Sequence, residues 1–186
     1  MPDSNYFEHY FEHLHNRLQT ANVADLEQAS QLASQAYQQN KKIICVGNGG
    51  SAAMASHVTV DLTKAAEMRA INFNEADLLT CFANDYGYEH WVAKALEFYA
   101  DEGDLVILIS SSGQSPNMLN GAKQSREMGL PILTLSGFRS DNPLRTMGDV
   151  NLLVDSTAYN IVEMTHHVWL LAIIDYLIEQ KQDTTS

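Results

Sequence analysis

Two patterns of apolar residues alternate along this chain. Short continuous apolar runs, bounded by polar residues or glycine, are separated by stretches whose apolar residues recur every three or four positions. The runs predict strands buried on both faces, and the spacing predicts helices. Tyr6, Phe7, Tyr10, Phe11, Leu14 and Leu18 mark a helix over Ser4 to Thr20, and Leu26, Ala29, Leu32, Ala33 and Ala36 a second over Asp25 to Gln39. A strand over Lys42 to Val46 leads into a helix from Ser51 to Lys64. A short strand over Ile71 to Phe73 precedes helices over Ala76 to Ala83 and Glu89 to Tyr99, broken by Asn84 to Tyr88. Strands follow over Leu105 to Ile109, Ile132 to Leu135 and Val150 to Val154, with a helix near Pro116 to Met128 and a short helix or turn over Asn142 to Met147. The last helix, Tyr159 to Gln180, is apolar nearly all round between Val168 and Ile178 and is expected to be buried.

This alternation predicts an α/β fold, a three-layer αβα sandwich around a five-stranded parallel sheet. All 186 residues are expected to form one domain. Residues 1–40 supply two helices beyond those needed to cover the sheet, and their apolar faces are expected to be buried between subunits. Residues 41–186 supply the α/β core and the last helix.

Composition narrows the function. The formal net charge is −12, from 23 acidic and 11 basic side chains. No basic cluster is present, which argues against direct binding to nucleic acid or to an anionic membrane. The run Val168 to Ile174 is cut by Asp175 and is too short to span a bilayer. Met1 to Asn5 lacks the basic and apolar parts of a signal peptide, and a cytoplasmic protein is expected. Cys45 and Cys81 lie in apolar stretches without metal-like spacing and read as reduced core residues. His9 and His13, one turn apart among Glu8, Glu12, His15 and Arg17, read as a solvated helix face rather than a metal pair.

Two strand-to-helix turns carry the candidate chemistry. In Val46-Gly47-Asn48-Gly49-Gly50-Ser51, three glycines allow a tight turn and close backbone approach, with Ser51 expected as the cap of the helix that follows. The spacing matches neither the dinucleotide fingerprint nor a P-loop. In Ser110-Ser111-Ser112-Gly113-Gln114-Ser115-Pro116, four serines surround one glycine, Ser115 is a natural cap and Pro116 a natural first helical residue. Each turn offers amides at a helix N-terminus, and the second adds hydroxyl donors without fixed charge, which suits a phosphate. In a parallel sheet such groups collect beyond the carboxyl ends of the strands. One crevice is therefore expected to contain Asn48, Gly49, Gly50, Ser51, Asn84, Asp85, Ser110, Ser111, Ser112 and Ser115.

Gly47 to Ser51 together with Ile109 to Ser115 resembles the sugar isomerase (SIS) domain, whose fold is flavodoxin-like. The similarity is to its phosphoheptose isomerase branch, which includes sedoheptulose-7-phosphate isomerases and the replication-initiator-associating protein DiaA. Phe82 to Tyr88 and Leu133 to Gly137 also resemble that branch, and the likeness runs in order along essentially the whole chain. It implies a sugar phosphate ligand, a homotetramer built around a central helical bundle, and zinc.

An aldose–ketose isomerisation needs a positioned base, a group to polarise the carbonyl and a phosphate clamp. His57 and Asp61 are i, i+4 on one helix face. Such a pair either binds a divalent metal or lets the carboxylate orient the imidazole. The resemblance implies a zinc-binding His at His57 and a zinc-binding, catalytic Glu at Asp61, which is one methylene shorter. The family's Arg-Ile-Gln-Glu aligns with Asn160, Ile161, Val162 and Glu163, and its catalytic, metal-binding His with Leu170. His166 and His167 lie one turn before Leu170, so a displaced site from His57, Asp61, Glu163 and His166 or His167 is one expectation, shared between subunits. The other is a non-catalytic phosphosugar- or protein-binding regulator similar to DiaA.

Overall fold

The computed structural model describes residues 5–185. Its elements in order are α1 (Tyr6–Leu18), α2 (Val23–Gln38), β1 (Ile43–Gly47), α3 (Gly50–Lys64), β2 (Ala70–Asn72), α4 (Ala76–Tyr86), a 3-10 turn (Tyr88–His90), α5 (Trp91–Tyr99), β3 (Leu105–Ser110), α6 (Pro116–Glu127), β4 (Ile132–Gly137), a second 3-10 turn (Pro143–Thr146), β5 (Val150–Val154) and α7 (Tyr159–Thr185). Ser4, expected to begin the first helix, lies outside the described residues.

The five strands are all parallel, in the order β2-β1-β3-β4-β5. The central strands β1, β3 and β4 are buried at every residue, which is why they read as unbroken apolar runs. Their alternating side chains feed two cores. Ile43, Cys45, Leu105, Ile107 and Ile109 pack against Ala29 and Ala33 of α2, Met54 and Val58 of α3, and Trp169 and Ile173 of α7. Ile44, Val46, Val106 and Leu108 pack against Trp91 and Leu96 of α5 and Met118 and Ala122 of α6. The result is the three-layer αβα sandwich with a five-stranded parallel sheet. From β1 the chain steps to β2 on one side and then returns to β3 on the other. The carboxyl ends of β1 and β3 therefore flank the point where strand order reverses.

Three expectations are corrected. The last helix is not buried all round. Its buried stripe runs through Val162, His166, Trp169, Leu170, Ile173 and Leu177, while Met164, Val168 and Tyr176 are exposed on the far side. By length and composition α7 could cross a membrane, yet half of its apolar window is packed inside the protein. Ser51 does not cap α3, since Gly49, at φ +54°, is the cap residue and Ser51 sits inside the first turn. Cys81 is no core residue: it lies exposed on α4, whereas Cys45 is fully buried, and both are free thiols.

α1 rests on α7, where the Trp169 indole N–H donates to Leu18 O at 3.0 Å. No residue of α1 is buried, and Tyr6, Phe7 and Phe11 are 56%, 70% and 64% exposed.

Candidate functional site

The turns after β1 and β3 lie side by side. Asn48, just past β1, exchanges amide hydrogen bonds with Asn117 in the first turn of α6. Asn48 Nδ2 donates to Asn117 Oδ1 at 3.0 Å, and Asn117 Nδ2 to Asn48 Oδ1 at 2.8 Å. The Tyr88 hydroxyl donates to the same Asn48 oxygen at 3.1 Å. This reciprocal pair locks the two turns together and leaves the Asn48 carboxamide little capacity for a ligand.

The serine turn is more open. Gly113 N–H donates to Ser110 O at 2.9 Å, closing a turn that the chain leaves through the positive φ of +64° at Gly113. The Ser110 and Ser115 hydroxyls share a hydrogen bond of 3.2 Å, and Ser112 Oγ accepts from Gln114 N–H at 3.3 Å. Ser115 stands at the N-cap of α6 without making a side-chain capping bond. The Ser111 hydroxyl is buried with no partner among the described residues. Buried polar groups are nearly always hydrogen-bonded, so this hydroxyl has a donor to spare.

Ser111 is one of the residues lining a cavity of about 220 Å³. Asn48 and Ser51 form one side of it, Ile109 and the four serines 110, 111, 112 and 115 another, and Tyr159 and Glu163 of α7 the third. Glu163 is the one ionisable carboxylate in this lining. It lies against Gly50 so closely that a Cβ at residue 50 would fall 2.2 Å from Oε2.

Further along the facing helices α3 and α7 three side chains stand in a row, one pair hydrogen-bonded and one within ion-pair distance. His57 Nε2 stands 3.3 Å from Asp61 Oδ2, and His57 Nδ1 stands 2.8 Å from His167 Nε2. Partial burial, and then the neighbouring His57, hold the His167 imidazole below its ordinary pKa, with Asp61 pulling the other way. The 2.8 Å contact requires one ring nitrogen to donate and the other to accept. It lies within one chain, so the approach of His167 to His57 needs no second subunit.

His166, expected as an alternative partner, faces the core instead. Its Nε2–H donates to Ser136 O at 2.9 Å, Nδ1 is buried without a partner, and burial pushes its pKa down to about 4. A helix turns about 100° per residue, so neighbours such as His166 and His167 cannot share a face.

Asn84 and Asp85 are also placed differently from expectation. α4 continues through them to Tyr86, so both are exposed helical residues. Asn84 Nδ2 donates to Asp85 Oδ1, and Asp85 Oδ2 accepts from the Cys81 thiol. Neither lines the cavity between the turns. Tyr88, two residues beyond the end of α4, reaches the site in their stead.

The SIS domain pattern matches residues 5–137. The chain belongs to the SIS-domain family. Within it the similarity is to phosphoheptose isomerases. That of Aliarcobacter butzleri is 35% identical over 76% of this chain and 77% of its own. That of Fusobacterium nucleatum is 31% identical over 81% of this chain and 80% of its own. The structure of the phosphoheptose isomerase GmhA from Neisseria gonorrhoeae superimposes with a TM-score of 0.86 at 28% identity, covering 93% of this chain and 96% of that one. These matches place the SIS chain on the phosphoheptose isomerase branch.

Tyr159, Tyr88 and Asn117 are site residues that reading the sequence alone missed. Tyr159 carried a usable signal, since it lies one helical turn before Glu163 on the same face. Asn117 had none, because its partner Asn48 is 69 residues away in the chain.

Proposed function

We propose that this chain is a phosphosugar aldose–ketose isomerase that converts sedoheptulose 7-phosphate to D-glycero-D-manno-heptose 7-phosphate, the entry to surface heptose and lipopolysaccharide synthesis. The observation that carries the reading is the one cavity lined both by the serine turn, Ser110, Ser111, Ser112 and Ser115, and by Glu163. One end offers neutral donors for a phosphate; the other offers a group that can accept a proton. In this reading Ser110, Ser111, Ser112 and Ser115 clamp the phosphate with the α6 amides. Asn48 and Ser51 form the opposite wall, and Gly50 makes room for Glu163. Glu163 supplies acid–base chemistry in the cavity, the Asp61–His57–His167 group stands further along α3 and α7, and His166 holds Ser136 O of β4.

Zinc has no part in the reading, because the residues present do not fit it. Val162 and Leu170, at the positions of the family's Gln and His, are apolar and 0% and 2% exposed. Both nitrogens of His57 are engaged by Asp61 and His167. Among the described residues no group of three His, Cys, Asp or Glu side chains is disposed to hold a metal ion.

The proposal includes one SIS domain over the whole chain, residues 1–40 serving assembly, and a cytoplasmic homotetramer. The exposed aromatic face of α1 and the exposed stripe of α7 support assembly, since such surfaces are normally covered. A second reading, a non-catalytic phosphosugar binder or protein-binding regulator similar to DiaA, is favoured by the same two buried apolar residues, Val162 and Leu170.

The test is incubation of purified protein with sedoheptulose 7-phosphate, with added zinc and after chelation, followed by product analysis. Conversion in both arms is expected. Unchanged substrate in both, with retained binding by calorimetry, would replace the isomerase with the binder.

A further inference from the structure

On the isomerase reading, we propose that Glu163 and Tyr159 carry its two proton transfers, Glu163 between carbons and Tyr159 between oxygens. They lie at i and i+4 in the first turns of α7 and both line the cavity that contains the serine turn. No imidazole is in that lining, so the Asp61–His57–His167 chain does not reach the reacting atoms there. Glu163 has a built cradle. Residue 50 carries no side chain, and any Cβ there would fall 2.2 Å from Oε2 and 2.7 Å from the carboxyl carbon. Among the described residues Glu163 accepts no hydrogen bond and pairs with no cation, so its oxygens remain available. Tyr159 is held by its ring, edge-on to Phe138 at 4.8 Å and 76°, while the residue stays 60% exposed. A fixed ring with an accessible hydroxyl suits a donor to a carbonyl oxygen.

The steps balance. The Glu163 carboxylate takes the proton from C1 of the ketose, and the C–H electron pair becomes the C1–C2 double bond. The carbonyl pair moves onto O2, which takes the Tyr159 phenol proton, leaving an enediol, a protonated Glu163 and a phenolate. The phenolate then takes the proton from O1, and that O–H pair forms the C1 carbonyl. The double-bond pair takes the proton from Glu163 at C2. One hydrogen has moved from C1 to C2 and one from O1 to O2, and both side chains return to their starting forms.

The experiment follows solvent deuterium into the heptulose phosphate by NMR alongside steady-state kinetics. Thermal midpoints and inorganic phosphate affinity serve as controls for folding and for the serine clamp. Glu163→Gln is expected to abolish deuterium entry and lower kcat at least about 100-fold. Tyr159→Phe, an exposed change that leaves the ring packing, should lower kcat at least about 10-fold with KM within about 3-fold. Gly50→Ala alters no ionisable group, yet should lower kcat as Glu163→Gln does by displacing the carboxylate. Asp61→Asn and His167→Gln should each cost less than Glu163→Gln. Deuterium entry within threefold of wild type in Glu163→Gln would overturn the assignment, as would a larger loss in Asp61→Asn or His167→Gln. Wild-type protein that binds the sugar phosphate but neither converts it nor exchanges deuterium would overturn the isomerase reading itself.

Discussion

The turns after β1 and β3 share one plan, a buried strand, a glycine-containing turn and a helix N-terminus, yet they are used differently. The β1 turn is closed by the protein itself. Asn48 is held by Asn117 and Tyr88, and the Glu163 carboxylate lies against Gly50 at the start of α3. The β3 turn keeps a buried hydroxyl, Ser111, that meets no partner among the described residues. A helix N-terminus attracts an anionic group whether that group comes from the chain or from a ligand. The first turn has its own carboxylate beside it, and on the proposed function the second takes the phosphate. The neighbours His166 and His167 divide along the same line. His166 donates to Ser136 O, Ser136 Oγ accepts from Asn142 Nδ2, and Asn142 abuts Gly113, so His166 supports the serine side. His167 reaches His57 on the glycine side.

The contrast is most sharply tested at its glycines. Gly113 has φ +64°, and a Cβ there would fall 1.9 Å from Asn142 Oδ1; Gly49 has φ +54° with nothing within 4 Å. Gly113→Ala adds a clash with a buried, hydrogen-bonded amide to the backbone strain and should cost about 4 kcal/mol. Gly49→Ala, at φ +54° and ψ −120°, should cost about 2 kcal/mol from backbone strain alone. Urea unfolding of the two variants measures the difference, and equal costs would erase the distinction.

Acid should weaken the serine side next. His166 titrates near pH 4 when folded and near 6.5 when free, so the unfolded chain binds more protons between those values. Its stability contribution is full above about pH 6.5 and falls as pH drops to about 4, a loss of about 3 kcal/mol. His166→Gln should flatten that part of the stability profile in denaturant titrations.

A smaller effect belongs to the hydroxyls. Replacing Ser111 and Ser115 together by Ala should weaken sugar phosphate binding by about 2 kcal/mol, read by calorimetry; unchanged affinity would remove the phosphate from this turn. The smallest belongs to the closed turn. Tyr88→Phe loses one exposed hydrogen bond to Asn48 and should lower stability by about 0.5 kcal/mol.

The sheet was legible because strands buried on both faces must be apolar throughout, as Ile43 to Val46 and Leu105 to Ile109 are. The two turns were legible because glycine and serine at strand ends have few other uses. The side chains that reach these turns from elsewhere were harder to see. Asn84 and Asp85 looked like a loop because both favour turns, but packing of Phe82 carries α4 past them. His166 could have been read as a core position, since it falls four residues after Val162 and four before Leu170. His167, four residues after Glu163, belongs to the other face. What no local pattern encodes is the meeting of residues far apart in the chain. His57 and His167 are 110 residues apart, and Asn48 and Asn117 are 69 apart.

α7 also sets an order of events for a growing chain. It covers one face of the sheet through Val162, Trp169, Leu170, Ile173, Ile174 and Leu177, and it is the element on which α1 rests. Yet it leaves the ribosome after every element it covers. Until then α1 has no docking surface, and the sheet face formed by Ile107, Leu133 and Leu152 is open to other chains. Slowing translation just before Tyr159 would therefore lengthen the time that nascent chains spend with that face bare.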